Sequence, residues 1–137
     1  MNGPPPAVRA LLPAGAVVLD QDQVDPVGLA GGRPVVLTDS RPGARARLRR
    51  RAGRLGLVVD GEHVVLPTWG SAAFVVEDDP HVIGWLWDTL VTVPPRARRS
   101  APLVELAVRL GALGPVRRAL LWGAPGRVLF GRVGGRP

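Results

Sequence analysis

The chain has no cysteine, no lysine and no tyrosine, and only two phenylalanines in 137 residues. Without cysteine there is no disulfide framework, no thiolate metal site and no cysteine nucleophile. Long apolar runs are missing as well. The longest uncharged stretch, His63 to Val76, contains Pro67 and Gly70 and falls short of the roughly 20 apolar residues that cross a bilayer. The run Ala10 to Leu19 is interrupted by Pro13 and Gly15, so it reads as an early strand rather than the core of a signal peptide, and the chain is expected in the cytoplasm. No G-x-G-x-x-G follows any predicted strand. Ser40, Ser71 and Ser100 are the only serines, and none stands in a nucleophile elbow. No catalytic, cofactor-binding or metal-binding residue is assigned, and the chain reads more readily as a binding protein than as an enzyme.

What is present is arginine. All 18 basic residues are Arg, against 11 acids, for a net charge of +7. Abundant Arg, Ala, Gly, Pro and Val is also the residue usage of a high-GC bacterial genome, so part of this charge reports base composition rather than an anionic partner. The length suits one domain with its own core. The expected layout is a disordered lead-in over 1–8, where three prolines follow a glycine, a single α/β domain over 9–133, and a flexible tail over 134–137.

Ala16 to Asp20 and Pro34 to Asp39 are short runs of Val and Leu that each end in an acid, and both read as buried strands. Continuous runs of this kind suit parallel strands. Leu48, Ala52 and Leu55 recur at helical spacing among arginines, which predicts an amphipathic helix over 44–55 that Gly56 ends. Leu57 to Val59 and His63 to Leu66 flank Asp60-Gly61, the grammar of a hairpin or of one longer bent strand. Phe74 to Val76 adds a strand, and Asp79 then caps a helix with Pro80 at its first position. In that helix Val82, Trp85, Leu86 and Leu90 form the apolar face, with Trp85 in the core. Further helices are expected over 103–110 and 116–121, and Arg127 to Val133 is a strand that returns to the sheet.

Three segments carry a family resemblance. Leu29 to Asp39 (LAGGRPVVLTD) is similar to the fifth strand of class I S-adenosylmethionine-dependent methyltransferases. Arg47 to Val59 (RLRRRAGRLGLVV) is similar to the helix and penultimate strand that follow, and Pro125 to Arg132 (PGRVLFGR) to the last strand, with Ala16 to Asp20 as a fourth-strand counterpart. The resemblance implies a small, incomplete Rossmann-like sheet, mostly parallel with an antiparallel last strand and flanked by helices. It also implies a relative without the cofactor-binding half of such enzymes, and hence a non-catalytic accessory domain that docks on a larger protein or pairs its open sheet edge with a second copy.

Several residues invite a functional reading, each with a structural one beside it. Arg45, Arg47, Arg49, Arg50, Arg51 and Arg54 are candidate anion-binding residues, since guanidinium groups on one helix face can grip the phosphates of nucleic acid; otherwise they form a solvated face. Trp69, in a Pro-Thr-Trp-Gly loop, and Trp87, two residues from Trp85 and so on another side of its helix, are candidate partner contacts. Glu77, Asp78, Asp79 and His81 gather metal-ligand types, but acids at a helix start are also explained by capping and the helix dipole. His63 is a general-base type in a strand. A small active site built from Asp20, Asp39, Glu77 and His81 at element ends, and peripheral membrane attachment through the helices over 82–91 and 103–110, complete the alternatives.

Overall fold

The computed structural model describes residues 4–66, 69–70, 72–90, 106, 109–111, 113–123 and 126–134. The expected linker over 96–100 lies outside the described residues, as does most of the expected helix over 103–110.

Among the described residues, five strands form one open sheet: β1 (Val17–Leu19), β2 (Pro34–Asp39), β3 (Leu57–Leu66), β4 (Phe74–Glu77) and β5 (Arg127–Val133), in the order β1-β2-β5-β3-β4. Only β1 and β2 are parallel; β5 runs antiparallel to both β2 and β3, and β4 antiparallel to β3. The expected mostly parallel sheet is therefore corrected to a mixed one. Apolar runs report burial on both faces, and that burial does not fix direction. Connections do: β3 and β4 are joined by a short segment that can only reverse the chain, and β5 inserts between β2 and β3.

Helix α2 (Ala44–Arg54) lies on one face, with Ala44, Leu48 and Ala52 buried. They meet Leu19, Val35, Leu37 and Leu129 in the first core cluster. Helices α3 (Pro80–Leu90) and α4 (Gly114–Gly123) cover the same face further along, where Ile83 and Leu121 pack on Val64. On the opposite face Val36, Val65 and Val128 are sealed by Val8, which is fully buried. That residue belongs to a single helical turn, α1 (Pro6–Arg9), whose first three residues fall in the stretch expected as a disordered lead-in. Pro6 at the first helical position suits the turn, and the apolar face beneath requires a cover.

Asp60-Gly61 does not turn the chain. β3 runs through it as one strand with a bulge, Val59 pairing Gly131 and Gly61 pairing Phe130. A bulge adds one residue and reverses the side-chain alternation beyond it. Leu57 and Glu62 therefore face the same side despite their odd spacing, and the Asp60 carboxylate accepts hydrogen bonds from Arg132 Nε and Nη2 at 3.0 and 2.9 Å.

Candidate functional site

Strand β2 ends on Asp39 and Asp20 directly follows β1, the position where open α/β sheets place ligands. A cavity of about 510 Å³ opens there along α2. Its polar groups are engaged with one another. Asp39, almost fully buried, accepts hydrogen bonds from Arg47 Nε at 2.7 Å, Arg47 Nη2 at 3.2 Å and the Arg41 amide at 2.9 Å. Burial pushes the Asp39 carboxyl up, but those hydrogen bonds and the charges of Arg47 and Arg41 outweigh it and hold the group below the usual carboxylate range. Arg47 also donates to the carbonyls of Pro42 and Arg41, tying down the turn before α2, whose N-cap Gly43 has no side chain to do so.

The other arginines of α2 are used in the same way. Arg51 is buried and clamps the 20–25 loop, donating from Nε to Asp25 at 2.6 Å and from Nη1 and Nη2 to the carbonyls of Asp20 and Gln23. Arg54 approaches the same Asp25 carboxylate at 3.7 Å. Arg49 donates to Glu62, and Arg45 stands 3.5 Å from Glu62 and 3.7 Å from Asp78. Among the described residues, Arg50 alone of the six lacks a carboxylate; it donates to the Ala46 carbonyl within its own helix. Sequence showed the cluster of cations but not the acids that fold back onto it.

The four residues of the imagined active site are not assembled. Asp20 and Asp39 lie on neighbouring strand ends but alternate to opposite faces, Asp20 accepting a hydrogen bond from Thr38 Oγ1 at 3.2 Å. Glu77 is on β4, three strands from β2. The acids around the start of α3 also diverge. Asp78 binds buried Arg127 at 2.6 Å, Asp79 Oδ1 caps α3 by accepting the amides of His81 and Val82, and Glu77 lies opposite His63 across the strand pair. Among the described residues no three His, Cys, Asp or Glu side chains come together to hold a metal. Burial lowers the pKa of His63, with nearby Glu77 pulling the other way. Its buried Nδ1 has no hydrogen-bond partner among the described residues, and its ring meets Phe130 edge-on at 5.1 Å.

The tryptophans differ in exposure. Trp69 packs against the second core cluster, and Trp87 is half-buried with its ring closed over Gly111. Trp85, expected in the core, is 62% exposed, because Ile83 and Leu86 already occupy the inward side of α3. Trp122 on α4 is 57% exposed and has the Arg45 guanidinium 5.8 Å from its ring centre. Beside Trp122 a second, larger groove of about 760 Å³ runs between α4, the start of α3 and Arg45. Sequence reasoning missed it because its walls come from elements more than 30 residues apart. The available signal was weak: Arg117-Arg118 a few residues ahead of a tryptophan in a short helix.

Among the described residues no helix is long and apolar enough to cross a membrane. Compared with family models, curated proteins and solved structures, the chain matches none.

Proposed function

We propose that this chain is a non-catalytic protein-interaction domain, an accessory module on a methyltransferase-like sheet, and that it meets its partner through α3 and α4. The observation that carries the reading is the exposure of Trp85 and Trp122, 62% and 57%, in a chain with so few aromatics. Tryptophan and arginine are enriched in the buried centres of interfaces, where they supply most of the binding energy. Two more large apolar side chains, Leu110 and Leu113, are exposed beside Gly111, on which Trp87 packs. The carboxylates that acid–base chemistry would need are engaged elsewhere, Asp39 with Arg47 and Asp78 with Arg127. The same pairing leaves α2 with little free charge for a polyanion. One feature supports a methyltransferase-like ancestry, the last strand set antiparallel to both neighbours.

Comparative co-purification tests this. The wild-type chain and its Trp85→Ser and Trp122→Ser variants are isolated under identical conditions at low and high salt, and their masses are read by light scattering and mass spectrometry. A defined protein partner or second copy held by the wild type at high salt and lost from at least one variant is the expected result. A monomer in all three preparations overturns the reading. Nucleic acid that elutes with salt and is lost in Arg50→Ala would instead make α2 the binding element.

A further inference from the structure

We infer that the groove beside Trp122 takes an acidic peptide segment with an apolar or aromatic anchor; this rests on the protein-binding reading above and adds the chemistry of the partner. The floor is apolar, formed by Ile83 and Leu121, and Trp122 forms one wall. The rim is cationic, with Arg45, Arg117 and Arg118 around the opening. Among the described residues neither Arg117 nor Arg118 has a carboxylate partner, in contrast to most arginines of α2. Arg45 sits over the Trp122 ring and shares Glu62 and Asp78 at 3.5 Å or more, beyond good hydrogen-bond length. Asp78, the one acid on the rim, is already bound by buried Arg127 at 2.6 Å. Charge complementarity therefore calls for carboxylates, which guanidinium groups accept two bonds at a time.

The apolar floor argues against nucleic acid, whose backbone phosphates would meet the arginines but leave Ile83 and Leu121 uncovered, and among the described residues no row of aromatics lines the groove to stack successive bases. An open groove between two helices also encloses a small molecule poorly, whereas it suits a segment that lays anchors into it. Acidic side chains flanking a Leu, Phe or Trp would satisfy the rim and the floor together.

The probe is a displayed library of random twelve-residue peptides, selected on the folded wild-type chain and followed by affinity measurements on the synthesised winners. Enrichment of Asp or Glu around an apolar anchor is expected, with affinity falling at least about tenfold in Arg118→Glu and unchanged in Arg50→Ala. Arg118 is exposed, so this variant reads the rim without disturbing packing; Arg117 lies over Gly84, and Arg117→Ala serves as a second variant once its melting curve matches wild type. Neutral or basic winners, full competition by polyglutamate, wild-type binding by Arg118→Glu, or no enrichment would each overturn the groove assignment. Peptides that lose binding to Trp85→Ser but not to Arg118→Glu would overturn the groove while keeping the protein-binding reading.

Discussion

Asp39 illustrates how much of this protein's arginine is internal. A carboxylate removed from water is costly unless charged donors replace the solvent, and Arg47 supplies two of the donors that do so. Arg47→Ala is expected to cost about 3 kcal/mol at neutral pH, since it strands a buried charge. The pH dependence follows from the direction of the shift. The folded pKa of Asp39 is lowered, so the pair's contribution is complete above the unfolded value of about 3.9 and is lost as pH falls through the folded one. Urea unfolding of wild type and Arg47→Ala should therefore show a gap that is steady at neutral pH and narrows as pH falls below about 4; a constant gap would mean that the guanidinium acts through packing alone. Sequence exposed both partners as residues but gave no reason to join them, because they lie on different elements and their pairing depends on how α2 seats on β2.

At the scale of elements, backbone approach decides what each strand tolerates. Gly131 in β5 sits where an added Cβ would be 2.7 Å from the Val58 carbonyl oxygen, whereas at Gly53, on the outer side of α2, it would meet nothing within 4 Å. Gly131→Ala is expected to lower stability by about 1 to 3 kcal/mol, the cost of overpacking a rigid neighbour. Gly53→Ala should raise it by up to about 1 kcal/mol through helix propensity. Opposite shifts in thermal midpoint would confirm that the bulged β3–β5 pairing is as close as described; equal shifts would refute it. Helix α2 and strands β2 and β5 were legible in sequence because apolar spacing and flanking Gly or Pro mark them directly. The bulge was not, since Asp-Gly is equally a hairpin signal and only the partner strand shows whether the chain turns. Likewise, the α3 pattern placed Trp85 in the core, whereas Ile83 takes the inward place against Val64 and Leu121.

Across the whole molecule the sheet is protected unequally. One face lies under α2, α3 and α4, whereas the central valines of the other rely on the segment around α1, in which Val8 is fully buried. Val8→Ala is expected to cost about 1 to 3 kcal/mol, and removal of residues 1–12 more, with exposed apolar surface that binds a hydrophobic dye. If the shortened chain melts like the full one, the amino-terminal turn does not cover the sheet. A row of prolines at the start of a chain gives no local cue to such docking, because the cue is the uncovered face it meets.

Sequence alone determined what is set by short-range chemistry: no disulfide or thiolate site, an α/β class, the positions of the principal strands and α2, and an excess of arginine. Tertiary structure decided what depends on residues far apart in the chain. It made the sheet mixed, because β5 slots between β2 and β3 against both. It spent most of the α2 arginines on carboxylates from β2, β3 and the 20–25 loop, because buried charge must be matched where it lies. It left Trp85, Trp122 and Arg118 facing outward, because each helix has one inward side and smaller apolar residues had filled it.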